Sequence, residues 1–577
     1  MTNKQISDIF LRIADALEIK DENIFRVRAY RTAAQSISGL TRELSEIYRE
    51  DSAELNNIPG IGKDLKKKIE EMVSTGKLEY YRTLMEEFPK GFLDMLDLAG
   101  LGPKKLIKLR DELNISNVHD LEIACIEGRL EKIEGMGLKT QEKLIASIKH
   151  FKKKEGRMLL PEAHERARDI LSHLGRSGNF KKAEIAGSLR RGSETVGDID
   201  ILALADDEEK AMDHFAGYPY AERVIAKGMT KSSISLESGV QVDIRIVKEE
   251  SFGAALLYFT GSKEHNVKLR ALAKRKGWKV NEYGIFRVSK SGKETRVAGR
   301  TEEDVYSSLD MQWIPPELRE NRGEIEAALE GTLPKDLVKV SDIKGDLHIH
   351  TTASDGKADI MDMIKAAKKK GYKYIAVTDH SKLIKIAGGM DEKRLLKRAE
   401  EIRKIAGREK GIKVLAGIEV DILEDGRLDL EDHALKELDI VVAAVHSKFS
   451  LKREEQTARI LRAMDNKYVN ILAHPSGRLI TKRSAIELDF DSVFRKAAEK
   501  NIFMEINTHG ERADLNDAHC ARAKELGCRF AINTDAHETI QLDDMPYGII
   551  TARRGWLVKD DVLNTYSFSK LMKAIKR

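Results

Sequence analysis

Ile343-Lys-Gly-Asp-Leu-His-Ile-His350 is the first of several short strand-like runs that end in residues able to bind a metal, and the fold is predicted from these runs. Later runs repeat this form: Tyr374 to His380, Val414 to Glu419, Ile440 to His446, Val469 to His474, Ile502 to Asn507 and Phe530 to His537. Each has the length of a buried parallel strand. Helical stretches rich in Lys, Glu and Ala separate them, at 359–370, 392–410, 454–464, 491–500 and 515–526. The alternation predicts a barrel or an open α/β sheet with its chemistry at the carboxyl ends of the strands.

The run ends predict a metal cluster. Residues two apart in a strand face the same way, so His348 and His350 can hold one ion together, as can Asp535 and His537. Imidazole and carboxylate ligands without cysteine suit catalytic Zn, Mn or Fe better than a closed structural zinc site. A single histidine after a strand is usually only a capped or buried polar residue, but seven strand ends with one pattern are not explained in that way.

These runs resemble the polymerase and histidinol phosphatase (PHP) family of metallo-phosphoesterases, whose fold is a distorted seven-stranded (β/α) barrel. The resemblance implies up to three ions, Mn²⁺ or Zn²⁺, held by His348, His350, Asp355, His380, Glu419, His446, His474, Asp535 and His537. Clustered cations would neutralise a phosphodiester and activate a water near neutral pH. A complete ligand set favours an active nuclease or phosphatase, and the sequence leaves open which phosphoester is cut.

Length and composition limit the class of protein. At 577 residues the chain exceeds one core, so several domains are expected. Its 100 Lys and Arg exceed its 95 Asp and Glu so slightly that whole-chain charge says little about a polyanion partner. Cys125, Cys520 and Cys528 are too few and too scattered for a disulfide framework or a cysteine zinc site. An amphipathic start without an apolar signal core, and no membrane-length stretch, predict a cytoplasmic protein with no membrane partner.

A small glycine motif recurs in the helical amino-terminal region, as Ile58-Pro-Gly-Ile-Gly62, Leu98-Ala-Gly-Leu-Gly102 and Ile133-Glu-Gly-Met-Gly137. Paired glycines let two helices approach closely, and the next helix offers its N-terminal amides to a phosphate. One copy would fit ordinary helix packing. Three copies, each followed by a basic stretch, resemble the helix-hairpin-helix motif, which grips the DNA backbone without reading bases. The resemblance implies DNA contacts at Gly60, Gly62, Gly100, Gly102, Gly135 and Gly137.

The segment Asn23 to Arg31, with the first hairpin, resembles the small amino-terminal domain of DNA polymerase beta and implies a DNA contact at Tyr30. In that family a lysine on the helix after the hairpin forms a Schiff base with an abasic sugar, and Lys68 stands at the matching place. Asp64 stands where the family often has a second lysine. We therefore read Lys68 first as a solvated lysine that touches a 5′-phosphate, with lyase activity as the alternative.

A second catalytic site is predicted between Ala186-Gly-Ser-Leu-Arg-Arg-Gly192 and the strands that follow. Asp198 and Asp200 would project from one strand face, and Asp243, on a later apolar run, can complete a three-carboxylate cup. Such a cup holds two Mg²⁺ or Mn²⁺ ions about 3.5 to 4 Å apart for in-line displacement at a nucleotide α-phosphate. An Asp-X-Asp alone often marks a turn or a surface pair. Together with Gly-Ser and the later aspartate it indicates the nucleotidyltransferase fold.

Leu256-Leu-Tyr-Phe-Thr-Gly-Ser262 narrows this prediction, because it resembles the family X DNA polymerases. Gly187 and Ser188 would open a loop into a helix whose amides cradle a triphosphate. With the resemblance, the expected nucleotide-binding residues are Gly187, Ser188, Arg191, Gly197, Tyr258, Phe259, Gly261, Asn266 and Arg270. Two positions differ from the family pattern. Gln241 stands where polymerase beta has an arginine beside the catalytic aspartate, and Lys263 stands where it has an acidic residue close to the nucleotide base.

The expected architecture is multi-domain: all-α helix-hairpin-helix N-terminal domains, an α+β nucleotidyltransferase palm and a C-terminal distorted (β/α)7 PHP barrel. The expected boundaries are 1–85 for a DNA-end-binding domain, 86–150 for a duplex-binding subdomain, 151–248 for the palm, 249–317 for a nucleotide-selecting subdomain, 318–342 for a charged linker and 343–577 for the barrel.

The resemblance to bacterial and archaeal family X polymerases covers essentially the whole chain. It implies a monomeric DNA polymerase that fills short gaps during repair, with gapped or primer-template DNA and deoxynucleoside triphosphates as partners. The barrel would act as a metal-dependent 3′ to 5′ exonuclease or 3′-end processor, extending to cleavage at abasic sites. Two alternatives stay open: a nucleotidyltransferase that acts on RNA or without a template, and a DNA-end binding protein with an inert barrel.

Overall fold

The structure is a computed structural model, and it describes residues 3–20, 22–38, 40, 44–88, 92–98, 101–113, 115–116, 120–121, 124–125, 129–133, 136, 140–141, 143–145, 157–289, 292–480 and 482–576. The chain divides into two compact units. The first is essentially residues 1–157, and the second consists of Met158–Leu236 and Val240–Arg577.

The first unit is helical where it is described. Its helices are α1 (Asn3–Ile19), α2 (Ile24–Ser38), α3 (Leu44–Asp51), α4 (Lys63–Thr75), α5 (Glu79–Glu86) and α6 (Pro103–Leu113). Apolar residues at helical spacing, such as Ile6, Phe10 and Ile13 of α1, enter one continuous core. The first predicted glycine turn leads directly into α4, and Gly102, the last residue of the second, directly precedes α6.

The second unit begins with a mixed sheet. Its elements are β1 (Met158–Leu159), α7 (Leu160–Arg176), β2 (Phe180–Ile185), α8 (Gly187–Arg190), β3 (Thr195–Val196), β4 (Asp198–Ala205), α9 (Glu208–Ala216), β5 (Ala221–Lys227), β6 (Lys231–Leu236) and β7 (Gln241–Ile246). The main sheet has the order β2-β4-β7-β6-β5, and β4 and β7 run parallel at its centre. Buried apolar residues alternate with polar ones along β7, so one face of the sheet packs on the core and the other carries its carboxylates.

A smaller subdomain follows, with α10 (Phe252–Thr260), α11 (Lys263–Arg275), β8 (Trp278–Asn281), β9 (Gly284–Val288), β10 (Glu294–Ala298), α12 (Glu302–Ser308) and α13 (Glu324–Glu330). Its three strands form an antiparallel sheet in the order β10-β9-β8. Helix α13 lies within the segment 318–342 that was expected to be a charged linker. Arg319 and Glu324 of that segment are fully buried, so it is a packed part of the subdomain rather than a solvated connector.

The remaining strands are β11 (Gly345–Ile349), β12 (Tyr374–Val377), β13 (Lys413–Asp421), β14 (Ile440–Ala444), β15 (Ile471–Leu472), β16 (Phe503–Asn507) and β17 (Phe530–Asn533). Among the described residues they form one parallel sheet in chain order. A parallel bridge between Ile349 and Ala536 brings the last strand beside the first, so the sheet nearly closes into a barrel. The predicted fold class is confirmed.

The barrel helices are α14 (Ile360–Lys369), α15 (Glu392–Arg408), α16 (Asp432–Leu435), α17 (Arg453–Ala463), α18 (Phe490–Lys500), α19 (Asp517–Glu525), α20 (Met545–Arg554) and α21 (Phe568–Ile575). The five helical stretches expected between the strands correspond to α14, α15, α17, α18 and α19. Capping by Asp359 starts α14, since its side chain accepts from the amide of Asp362. Along β14 alternate residues enter two different cores, which places the strand between barrel interior and helices.

No described helix has the length and apolar character that crossing a bilayer requires.

Candidate metal centres and nucleotide site

The three carboxylates of the palm lie together on two central strands. Asp198 and Asp200 are two apart on β4, and the parallel register sets Asp200 directly opposite Asp243 on β7. Alternation in β-strands gives all three side chains the same face. Asp198 is exposed, while Asp200 and Asp243 are half-buried. The result is a cup that opens to solvent on one side.

Electrostatics in this cup favour a bound cation. Burial, and then the charges of Asp198 and Asp243, raise the pKa of Asp200 to about 7. Lys231 Nζ lies 2.9 Å from one oxygen of Asp243, and Gln241 Nε2 donates to the other at 2.7 Å. Burial acts to raise the pKa of Asp243, but donated hydrogen bonds, including these two, lower it below its usual range. Clustered carboxylates of this kind fit hard divalent cations.

The glycine-serine loop touches the cup. Gly187 has a φ of +62°, and a Cβ there would lie 2.2 Å from Asp200 Oδ2. Only glycine therefore allows the loop to pass so close to the carboxylate. Ser188 follows in α8, which is a single helical turn. Gly197 lies directly before Asp198, between β3 and β4.

Arg191 connects this loop to the end of α10. Its Nε lies 2.9 Å from Glu320 Oε1, and its Nη1 donates to the carbonyl oxygen of Thr260 at 2.5 Å. Gly261 comes next, with a φ of +73° and a cis peptide bond to Ser262. A Cβ on Gly261 would lie 3.1 Å from Arg191 Nη1, so the glycine makes room for the guanidinium.

The aromatic pair predicted beside the sugar and base is half-buried at the end of α10. The rings of Tyr258 and Phe259 are nearly perpendicular, with centroids 5.1 Å apart. Asn266 Nδ2 donates to the Tyr258 carbonyl at 2.7 Å, and Arg270 Nε donates to the Asn266 carbonyl at 3.3 Å. The buried Oδ1 of Asn266 makes no hydrogen bond with the described protein atoms, so it is available to a donor on a ligand.

An ion network beneath the loop was missed by the sequence reading. Glu302 binds Arg190 at 2.6 Å and the fully buried Arg319 at 2.7 Å, and Trp313 Nε1 donates to it at 3.1 Å. Burial acts to raise the pKa of Glu302, but Arg319 and Arg190 outweigh it and lower this pKa to about 2. The network joins α8 to the smaller subdomain. Arg190 lies 112 residues from Glu302, and Arg319 and Trp313 lie 17 and 11 residues from it, beyond the spacing of a local helix or strand pattern.

The nine residues predicted as barrel ligands lie at the carboxyl ends of the strands or in the loops after them. Eight of them form three overlapping groups whose ligand atoms lie within 4.8 Å of one another, and His474 joins through Glu419, with Nε2 2.9 Å from Oε1. The groups are His348 with His350 and Asp535; His350 with Asp355, His380 and His537; and His380 with Glu419 and His446.

The donor atoms of this cluster fit metal ions. His348 Nε2 and both ring nitrogens of His350 are buried and make no hydrogen bond with described protein atoms. Burial, and then the neighbouring His380, lower the pKa of His350 to about 4, so its ring is neutral, as a ligand must be. Glu419 Oε2 lies 2.9 Å from His380 Nδ1 and 3.5 Å from His350 Nε2. Buried nitrogens facing carboxylates without hydrogen bonds are explained by divalent cations between them.

Buried carboxylates orient the histidines from behind. Glu505 Oε1 lies 2.8 Å from His348 Nδ1, and Asp421 Oδ1 lies 3.0 Å from His446 Nδ1. Such partners fix the ring orientation of a ligand histidine and strengthen it as a donor. The sequence reading missed both, although Asp421 stands two residues after Glu419 on the same strand and Glu505 stands two residues before the end of β16.

Two predicted ligands have backbone conformations that favour glycine. His474 has a φ of +27° and Asp535 a φ of +55°. Such conformations cost free energy in residues with a Cβ and persist where the surrounding structure holds them. They occur at the strand ends that aim these side chains at the cluster.

Three of the glycines that were predicted to contact DNA, Gly60, Gly62 and Gly102, lie just before helices of the first unit. Gly60 has a φ of +85°, and a Cβ there would lie 2.7 Å from Thr32 Cγ2, so the first hairpin needs glycine at this position. Gly62 caps α4, and Gly102 precedes α6. Gly100, Gly135 and Gly137 lie outside the described residues.

Tyr30 is only 1% exposed and packs edge-on against Phe10, so its ring belongs to the core of this unit rather than to a DNA-facing surface. Lys68 Nζ lies 2.6 Å from Asp64 Oδ2 and 5.1 Å from the Tyr80 ring centroid. Asp64, which stands where the family often has a second lysine, therefore forms an ion pair with Lys68.

Comparison with known proteins adds to this geometry. Family models match at 1–78 (helix-hairpin-helix domain), 92–150 (SAM-like helix-hairpin-helix tandem), 255–320 (DNA polymerase beta thumb) and 346–509 (PHP domain). DNA polymerase/3′-5′ exonuclease PolX of Bacillus subtilis (strain 168) is 38% identical over 579 residues, which cover 100% of both chains. A probable phosphatase of Thermoanaerobacter sp. (strain X514) is 30% identical over 231 residues, 38% of this chain and 89% of its own length.

Proposed function

The chain belongs to the PolX family of DNA polymerases, and on that premise we propose that it extends DNA 3′ ends at the palm and removes nucleotides from 3′ ends at the barrel. The observation that carries the synthetic half is the register that sets Asp200 opposite Asp243, because it builds the carboxylate cup that nucleotidyl transfer requires. The cluster of buried histidines and carboxylates carries the hydrolytic half.

At the palm, Asp198, Asp200 and Asp243 would hold two Mg²⁺ or Mn²⁺ ions. Divalent ions at either site supply charge neutralisation at phosphate and activation of the attacking oxygen. Arg191 and Ser188 would orient the triphosphate, while Gly187 and Gly197 keep the backbone close enough to bind it. At the base, Tyr258, Phe259 and Gly261 would flank the nucleotide, Asn266 would reach its minor-groove edge and Arg270 the template strand.

At the barrel, the nine clustered residues would hold up to three Mn²⁺ or Zn²⁺ ions. Glu505 and Asp421 would keep the ligand histidines oriented, and the buried walls would exclude bulk water from all but the open rim. Removal of a 3′-phosphate is a second candidate activity here, because the phosphatase relatives cover this part of the chain. Cleavage at abasic sites belongs to the same proposal.

DNA would be held by the helix-hairpin-helix regions, whose turns present backbone amides to phosphates. Gapped or primer-template DNA and deoxynucleoside triphosphates are the proposed substrates, and repair of short gaps by a monomer is the proposed role. The buried thiols of Cys520 and Cys528, which form no disulfide, support a reducing, cytoplasmic location.

A gapped primer-template with a labelled primer 5′ end tests both halves in one assay. With deoxynucleotides and Mg²⁺, the wild type and His348→Ala should extend the primer, whereas Asp200→Asn should not. Without nucleotides and with Mn²⁺, the wild type and Asp200→Asn should shorten it, whereas His348→Ala should not. A primer ending in a 3′-phosphate separates the phosphatase activity from the exonuclease.

Three outcomes would reject parts of the proposal. Equal incorporation of ribonucleotides, or extension without a template, would favour the alternative nucleotidyltransferase. Wild-type protein that binds the DNA but never shortens it would favour an inert barrel. Digestion that persists in His348→Ala would point to a contaminating nuclease.

A further inference from the structure

Helix α20 of the barrel lies against the palm loop that carries Arg191. Gly192, the next residue, has a φ of +66°, and a Cβ there would lie 2.1 Å from Ile550 Cγ2 on α20. No side chain fits between the loop and the helix, so glycine allows the two to pack in direct contact.

Arg554, the last residue of α20, is the centre of this contact. Its Nη1 donates to the carbonyl oxygen of Arg191 at 2.7 Å and to Glu320 Oε1 at 2.9 Å. Its Nη2 lies 2.7 Å from Asp517 Oδ2, and the side chain is 10% exposed. Glu320 Oε1 also accepts from Arg191 Nε at 2.9 Å. A barrel side chain therefore contacts the backbone of Arg191 and shares the partner of its guanidinium.

The shared carboxylate gives Arg554 a specific effect on Arg191. Burial acts to raise the pKa of Glu320, but Arg554 and then Arg191 outweigh it and hold this pKa below its usual range. Because Arg554 takes part of the negative charge of Glu320, Glu320 binds Arg191 less strongly than it would as a simple pair. Without Arg554, Glu320 would hold Arg191 alone and compete harder with a triphosphate.

We propose that Arg554 is a positioning residue for nucleotide binding: the barrel helix fixes Arg191 at the palm and keeps it available to the nucleoside triphosphate. This inference rests on the proposed polymerase function and on the role given to Arg191 there. It assigns the barrel a second task, support of the palm loop, which is independent of its metal cluster.

The chain offers a matched control on the same helix. Arg553 Nε lies 2.7 Å from Glu317 Oε1, so it makes a similar ion pair between α20 and the segment that contains Glu320. No hydrogen bond or ion pair links Glu317 to Arg191 among the described residues. Arg553→Met therefore removes a comparable bridge without touching Arg191.

The test is single-nucleotide insertion into a gapped primer-template, with kcat and the KM for deoxynucleotide measured for each variant. We expect Arg554→Met to raise KM about tenfold, the effect of one lost charge-assisted hydrogen bond, with kcat within about threefold. Arg554→Lys should recover part of the loss, and Arg553→Met should change KM by less than about twofold. Barrel digestion of a labelled 3′ end and the melting temperature report folding in each case.

A double variant adds a readout that a purely structural role would not give. Arg191→Lys combined with Arg554→Met should raise KM little more than Arg191→Lys alone, because both changes act on one interaction. If Arg554→Met does not fold, Arg554→Lys carries the test.

Equal KM changes in Arg554→Met and Arg553→Met would overturn the inference, as would loss of kcat and barrel digestion together at unchanged KM. Wild-type protein that inserts no nucleotide would remove the proposed function, and the inference with it.

Discussion

The palm cup and the barrel cluster differ in what their ligand atoms touch. In the palm, both oxygens of Asp243 are engaged, one by Lys231 and the other by Gln241, and Asp198 is exposed to solvent. In the barrel, His348 and His350 are fully buried, and their inward nitrogens face carboxylates without hydrogen bonds. The palm site is open and partly neutralised by the protein, whereas the innermost ligand nitrogens of the barrel are buried and make no hydrogen bonds with the described protein atoms.

This difference indicates two modes of metal use. Three carboxylates cannot complete the octahedral shell that Mg²⁺ requires, so the palm needs phosphate and water oxygens to bind its ions firmly. The barrel provides overlapping groups of nitrogen and oxygen donors, and buried carboxylates orient the histidines. We therefore expect ions to enter the palm with the nucleotide and to reside in the barrel.

The largest expected effect comes from Glu419→Gln. Its two oxygens lie 2.9 Å from His380 and from His474, and 3.3 Å from His446, so the change removes the charge shared by much of the cluster. Digestion of a labelled 3′ end should fall about 10³-fold, more than loss of an orienting partner costs. Nucleotide insertion at the palm should stay within about twofold.

A control for Glu419→Gln is Glu424→Gln, which changes an exposed carboxylate paired with Lys448. Digestion that survives in Glu419→Gln at the level of this control would show that the barrel cluster is not the hydrolytic centre.

The second effect concerns Glu302, the buried carboxylate beneath the palm loop. Arg319 and Arg190 lower the pKa of Glu302 to about 2, against an ordinary 4.5, in spite of burial. A depressed pKa stabilises the fold above pH 4.5, and this contribution is lost as the pH falls from 4.5 towards 2. Glu302→Gln should therefore cost about 3 kcal/mol at pH 7, seen as an earlier melting transition of the second unit.

The difference in stability between the wild type and Glu302→Gln should shrink as the pH is lowered below 4.5, because protonated Glu302 resembles glutamine. The control is Glu303→Gln, which changes an exposed carboxylate on the same helix. A wild-type advantage of equal size at pH 7 and pH 3 would mean that Glu302 is not charged in the folded protein.

The smallest expected effect comes from Lys231, the lysine that pairs with Asp243 in the palm. Lys231 Nζ lies 2.9 Å from Asp243 and is 43% exposed, so it competes with an entering ion through a screened interaction. Lys231→Met should lower the Mg²⁺ concentration that gives half-maximal insertion by about threefold. Lys227→Met, which breaks the neighbouring pair with Asp213, is the control. A higher Mg²⁺ requirement in Lys231→Met would instead assign Lys231 to substrate binding.

Much of the barrel could be predicted from the sequence, because each strand is an apolar run and its ligand follows at the end. Parallel strands meet at one edge, so His348 and Asp535 are brought together although they lie far apart in the chain. The carboxylate cup was predictable for a similar reason: alternation fixes the face of Asp200, and the apolar run around Asp243 identifies a second strand.

The buried supports were not predictable in this way. Charged residues make up 34% of the chain, so nothing in the sequence marks Glu302 and Arg319 as a buried pair. Tyr30 was expected at a DNA-facing surface, but only the packing of α1 on α2 shows that its ring is in a core. The expected linker contains Arg319 and Glu324, whose charges suggested solvent exposure until their partners were known.

The most direct test of the difference between the two sites is the amount of metal that the protein retains. The protein is loaded with Mn²⁺ or Zn²⁺ and passed through gel filtration in metal-free buffer, and its metal content is then measured by elemental analysis. We predict that the wild type and Asp200→Asn retain equal amounts of metal and that Glu419→Gln loses most of it. Retention of wild-type metal by Glu419→Gln, or an equal loss in Asp200→Asn, would contradict a resident barrel cluster and an exchanging palm site.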